Sequence, residues 1–265
     1  MSRGKQKRMT KAMIYALHGI TYKDGKILTP WGAWVNEILK EGNTKTGKRV
    51  LTFSLLPGTE NGGTCVRNCK GCYAMTGNYR FKSTIESLRI NTRIVNDHIE
   101  FFKAAVMAQL EYAGVSEVRI HAAGDFNTKD PDAYAAAWHF IAASFPQDAF
   151  WTYTKIEKFE SLFDDLDNAN IVKSLIPEKG VNYGHCDYII ELYWYLKGLK
   201  KDVYICRCGI DDNQHCEKCG HCSKAEYVLF IEHSTEYVAK KDPLFPEIVA
   251  LIESQDNENV FHKAV

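Results

Sequence analysis

Strand-length runs rich in β-branched and aromatic residues recur along the chain, and segments of helical period lie between them. RVLTFSLLPG (49–58), EVRIHAAGDF (117–126), AFWTYTK (149–155), NIVKSLIP (170–177), DVYICRC (202–208) and EYVLFIEHS (226–234) read as strands. After the first, Leu88, Val95, Ile99, Phe102, Val106 and Leu110 fall at helical spacings, which predicts one long helix. DPDAYAAAWHFIAASF predicts a helix with Asp130 as N-cap and Pro131 at its first position. KFESLFDDL, CDYIIELYWYLKG (stopping at Gly198) and DPLFPEIVALIES supply further helices. Strands joined by helical crossovers imply a parallel sheet, so the fold class is α/β. With 265 residues, 45% of them apolar, the chain can bury a substantial core.

In such sheets functional residues collect beyond the carboxyl ends of the strands. Here Cys65, Cys69 and Cys72 follow the first strand, AAGD (122–125) the second, and Thr154 and Lys155 end the third. Cys206 and Cys208 end the fifth, and Glu232 and His233 the sixth. The expectation is one rim carrying all of them.

The thiols set the chemistry. No apolar run reaches the ~18 residues of a membrane span, and the N-terminus lacks the apolar core of a signal peptide. A cytoplasmic location follows as an expectation, and there thiols stay reduced, so nine cysteines point to metal rather than disulfides. Cys186 stands alone and reads as a buried structural thiol. Cys65, Cys69 and Cys72, spaced C-x3-C-x2-C in a glycine-rich loop, can bond three irons of a [4Fe–4S] cluster and leave the fourth open.

That motif, after the first strand of such a sheet, resembles the radical S-adenosylmethionine (SAM) superfamily. The resemblance implies a partial (βα)6 TIM-like barrel over 49–265; the cysteine-rich insertion (206–222) between strands five and six departs from that family's pattern. It also implies that the turn after strand two, Ala123, Gly124 and Asp125, meets the SAM amino group. LLPGTENGGTC, CYA, RIHAAGDF and FWTYTK are similar to the phage "gene product 88" family, which implies a phage protein in the host cytosol but supplies no settled activity. Residues 1–48 are read as a basic tail and extension: Arg3, Lys5, Lys7, Arg8 and Lys11 precede the first acidic residue, Asp24. With 33 basic and 33 acidic residues overall, only that tail favours nucleic acid, and weakly.

The second group, CRCGIDDNQHCEKCGHCSK, places Cys206, Cys208, Cys216, Cys219 and Cys222 close together, with His215 and His221 between. It suits a second [4Fe–4S] cluster, toward which the spacing leans, or Zn2+. Tyr204, Cys206 and Cys208 share one strand face. From it, Cys206 or Cys208 could reach the first cluster and close its fourth iron. Arg119 and His121 are expected on one face, either holding substrate or SAM carboxylate or making buried hydrogen bonds. Asp125 is either an acceptor for the SAM ammonium group or a turn cap. Lys155 reads as an anion contact or an exposed lysine, and the aromatic cluster around Trp194 as core packing.

Two functions follow as expectations. One is a radical SAM-like enzyme that cleaves SAM reductively to act on an unidentified substrate. The other is a non-enzymatic iron–sulfur protein with fully ligated clusters, serving electron transfer, redox sensing, or binding to a protein or nucleic-acid partner.

Overall fold

The computed structural model describes residues 9–42, 46–69, 72–75, 77–114, 116–174, 185–207, 216–231 and 239–262. Cys208, His215, Glu232, His233 and the basic residues Arg3, Lys5, Lys7 and Arg8 lie outside them.

Within the segment expected as a basic tail and extension (1–48), the described residues form a helix and a small sheet. Helix α1 (Lys11–Leu17) is capped by Thr10, whose hydroxyl accepts from the Met13 N–H. It leads into a small antiparallel sheet, β1 (Tyr22–Lys23), β2 (Lys26–Leu28) and β3 (Trp34–Asn36). Lys11 belongs to this unit: its ammonium bonds Glu37 at 2.8 Å and lies over the rings of Tyr22 and Tyr112. Tyr15, fully buried, donates its phenol to the same Glu37.

The main sheet contains β4 (Lys40–Glu41), β5 (Val50–Thr52), β6 (Glu117–Arg119), β7 (Ala149–Thr154), β8 (Ala169–Lys173), β9 (Val203–Ile205) and β10 (Tyr227–Leu229). Its order is β4-β5-β6-β7-β8-β10-β9, parallel throughout except for β4, which runs antiparallel on the edge. All six expected strands are present. Successive crossovers of a barrel would place them in chain order; instead β10 inserts between β8 and β9. Tyr227 pairs with Lys173 on one side and Val203 on the other. The shown architecture is a mixed α/β fold on a largely parallel sheet.

The pairing register assigns each side chain to a face. Leu51, Val118, Phe150, Ile171, Val203, Ile205 and Leu229 face the helices. Against them pack α2 (Lys82–Asp97), α3 (Ile99–Ala113) and α4 (Pro131–Ser144) around Phe53, Phe102, Tyr134 and Trp138. Helices α5 (Cys186–Gly198) and α6 (Phe245–His262) cover β9 and β10 from that side as well. Cys186 is fully buried there, as a structural thiol should be. The other face carries Val50, Glu117, Arg119, Trp151, Tyr153, Asn170, Val172, Tyr204 and Val228.

Two local differences from the sequence reading have physical causes. The long helix breaks into α2 and α3 at His98, whose extended backbone (φ −144°, ψ 54°) ends one helix and begins the next. The apolar stripe continues across the break, so periodicity alone does not reveal it. KFESLFDDL forms only a 3-10 turn at Glu157–Phe159 followed by further turns. Helix α4 starts as expected, with the Asp130 carboxylate accepting from the Ala133 N–H at 3.0 Å.

Candidate metal centre

The loop after β5 folds back on itself before it delivers its thiols. Thr64 N–H bonds the Leu56 carbonyl and Cys65 N–H the Gly58 carbonyl. Gly58 takes φ +88°, a left-handed conformation that favours glycine. A Cβ on Gly63 would lie 2.3 Å from the Gly58 carbonyl oxygen, so the loop closes only with glycine there. Turns between Cys69 and Cys72, and between Cys72 and Met75, then wrap the chain. Cys65, Cys69 and Cys72 are all half-buried. Burial chiefly, with the nearby charges of Asp125, Cys72 and Cys69, pushes the Cys65 thiol up to about 11.

Asp125 ties this mouth to the neighbouring strand ends. Its carboxylate accepts from the Thr154 hydroxyl (2.7 Å), the Lys155 N–H (3.1 Å) and its own neighbour Phe126 N–H (2.8 Å). Its own N–H donates to the Thr64 hydroxyl, which in turn donates to the Leu56 carbonyl. Asn127 fastens the Cys65 carbonyl. Gly124 permits the approach: with φ +84°, a Cβ there would meet Thr64 Oγ1 at 2.6 Å and Leu55 Cβ at 2.7 Å. Burial raises the Asp125 carboxyl above the usual carboxylate range, against the pull of its three donors.

The second group lies elsewhere. Cys206 and Cys222 pack on the face opposite the helices with Trp151, Tyr204 and Val228, and Asn170 donates to the carbonyls of Cys222 and Ala225. Cys206, Cys216, Cys219 and Cys222 line one cavity of ≈ 10 Å³, together with Glu117, Trp151, Tyr204 and His221. The His221 ring stacks on Tyr204 at 3.9 Å. Tyr153 donates its phenol to the Cys222 sulfur at 2.9 Å. Burial first, then the neighbouring thiols Cys216 and Cys219, push Cys222 up to about 12, while the Tyr153 hydrogen bond and the Arg119 charge act the other way. The expectation that every motif shares one rim therefore fails for this segment, which plugs the sheet face instead.

A sequence model described as Gene product 88 matches residues 37–188, more than half the chain. The chain belongs to the Gene product 88 family. No curated protein and no solved structure matches it. The matched span takes in the mouth, Asp125 and Thr154, and stops short of the cysteine plug of this Gene product 88 protein.

Among the described residues, no three His, Cys, Asp or Glu side chains already converge as metal ligands. The donor chemistry of both groups nevertheless fits metal. At the mouth, three thiols stand close enough for two of them to oppose ionisation of the third, a repulsion that bound cations reverse. At the plug, the lining is mostly sulfur and aromatic. Cys206 shares its cavity with Cys216, Cys219 and Cys222, so it belongs to the plug; Cys208 lies outside the described residues.

The other predicted site residues separate. Arg119 faces the plug, its guanidinium over the Tyr153 ring at 5.4 Å. His121 does not share that face. It follows the end of β6 with φ +56°, which breaks the strand alternation and turns the ring toward the helices. There it is hydrogen-bonded to the Thr152 hydroxyl (3.1 Å) and the Tyr134 phenol (2.8 Å), edge-on to Phe126. Burial lowers its pKa to about 3, so the ring is neutral. Of the two sequence readings for His121, the buried hydrogen bonds describe its position. Ala123 accepts the Leu55 N–H through its carbonyl and forms part of the mouth wall. Trp194 is exposed, not core. Tyr153, Thr64 and Asn170 were not legible as site residues. Only the shared strand parity of Tyr153 with Trp151 pointed to the first, and nothing local marked the other two.

Proposed function

We propose that this Gene product 88 protein is an iron–sulfur protein. In this reading Cys65, Cys69 and Cys72 hold three irons of a [4Fe–4S] cluster at the mouth, and the fourth iron stays free for a small ligand of the SAM type. The observation that carries the reading is the place of Cys206: it faces the plug cavity with Cys216, Cys219 and Cys222, so of the two thiols that could close the mouth cluster this one is engaged elsewhere, while Cys208 lies outside the described residues. The bound cluster would supply reductive cleavage of SAM and hydrogen abstraction from a substrate. The chain's own part is to orient the loop: Asp125 clamps Cys65's neighbour Thr64 to the ends of β6 and β7, and Gly58 and Gly63 let the loop close.

A second reading, a fully ligated cluster with no enzymatic role, is favoured by Asp125 itself. Its oxygens already accept three protein donors, so it is built as a latch rather than as a receptor for the SAM ammonium group. The order β8-β10-β9 also departs from successive barrel crossovers.

Anaerobic reconstitution followed by EPR, with and without SAM, separates the two. The first reading predicts a reduced-cluster signal that changes on adding SAM, with slow release of 5′-deoxyadenosine. An unchanged signal, with no heat of SAM binding, leaves the second. Failure to assemble any cluster on Cys65, Cys69 and Cys72 removes both.

A further inference from the structure

We propose that the plug is a distinct, closed metal site in which Cys206, Cys216, Cys219 and Cys222 hold one tetrahedral ion of the zinc class. The inference uses no property of the mouth loop and stands whether or not a cluster forms there.

Size decides between one ion and a cluster. The four thiols line a single cavity of ≈ 10 Å³, about the room one water needs. One ion with sulfurs drawn in around it fits that space, whereas an iron–sulfide cube needs a larger one. The donor count matches a structural zinc site, four sulfurs and no open position. Cys206 and Cys222 are buried, and Trp151 and Tyr204 beside them are almost wholly so, while Cys216 and Cys219 are half-buried.

The outer contacts suit thiolates. Tyr153 already donates to the Cys222 sulfur, and the Tyr204 phenol stands 3.7 Å from the Cys219 sulfur, where it can donate once that thiol has lost its proton. Hydrogen-bond donors to the ligand sulfurs orient them and tune the metal they hold. Four thiolates around a divalent ion carry net negative charge, and a buried charge needs a partner. Arg119, on the same face and over the Tyr153 ring, supplies positive charge. Binding requires no redox step: zinc replaces the four thiol protons, which leave to solvent.

The location explains the need. β9 and β10 are adjacent and parallel, so their connection must cross over. On the helix face such crossovers bury long amphipathic helices. Among the described residues, the plug has one helical turn, Cys216–Cys219, and a 3-10 turn, His221–Ser223. A metal clip would tie these short turns to the sheet face.

The test measures zinc, iron and acid-labile sulfide on full-length protein purified without oxygen, for the natural sequence and for Cys219→Ser and Cys65→Ser. The expected result is one zinc per chain, retained in Cys65→Ser and lost in Cys219→Ser. Because Cys219→Ser could misfold, Co2+ is also exchanged into the unmutated protein, where thiolate-to-metal charge-transfer absorption with tetrahedral d–d bands is expected. Iron and sulfide lost together in Cys219→Ser would overturn the proposal. So would cobalt-treated protein without thiolate charge transfer.

Discussion

The two cysteine groups are built from one residue type and anchored in opposite ways. At the mouth the backbone does the positioning. Glycines at left-handed φ, carbonyl-capped turns and the Asp125 latch hold a loop whose thiols remain half-exposed. At the plug side chains do it. Cys206 continues a strand face, Cys222 is held by Tyr153, and Asn170 fixes the turn between them and β10. A backbone-held, half-open loop suits chemistry at an accessible position. A side-chain-held pocket with two of its four thiols buried suits a permanent tie.

The largest expected effect is at Gly124. Gly124→Ala puts a methyl against Thr64 and Leu55 at a left-handed φ and should cost on the order of 3–5 kcal/mol, read as a lowered denaturant midpoint. A shift under about 1 kcal/mol would mean that the mouth is not held by this close approach. Next comes Asp125→Ala, which strands the Thr154 hydroxyl and two N–H groups in a buried setting. A loss of about 2–4 kcal/mol is expected, with alkylation of Cys65 accelerated while Cys222 stays protected. Equal exposure of both groups would erase the distinction between them.

Metal-free protein gives a pH test. A thiol reacts as its thiolate, and both Cys65, near 11, and Cys222, near 12, are protonated at neutral pH. Their thiolate fractions grow as pH rises toward those values. Between pH 7 and 9 the alkylation rate of Cys65 should climb about tenfold per unit, and Cys222 should trail it throughout. A rate for Cys65 that is flat over this range would show a thiolate already formed. The smallest effect is at Tyr153→Phe, which removes one donor from the Cys222 sulfur. It should cost about 1 kcal/mol and loosen metal at the plug without altering iron at the mouth.

Much of the fold could be read from the chain because its strands are long apolar runs with clear stops. All six, the cap at Asp130 and the end of α5 at Gly198 stand where the residues imply. What escaped depends on contacts distant in sequence. The pairing of β10 between β8 and β9 is set by Tyr227 meeting both Lys173 and Val203, which no local pattern encodes. Residues 9–42 look like a tail because their charges are visible, whereas the partners that neutralise and bury them, Glu37 and Tyr112, are not adjacent. His121 was placed by alternation, and the alternation ends at Arg119 when the backbone turns to φ +56°. The thiols themselves were legible as two groups from spacing; that Cys206, Cys216, Cys219 and Cys222 gather against the sheet face instead of lining the rim was not.

Differential alkylation with mass-spectrometric mapping of each cysteine tests this partition most directly. Anaerobically loaded protein is footprinted before and after stepwise removal of iron and then of zinc. Cys65, Cys69 and Cys72 should become reactive together when iron leaves, and Cys206 should remain protected until zinc is removed, then appear with Cys216, Cys219 and Cys222. If Cys206 is released with the first three, it closes the mouth cluster, and both the open iron and the four-thiolate plug are wrong.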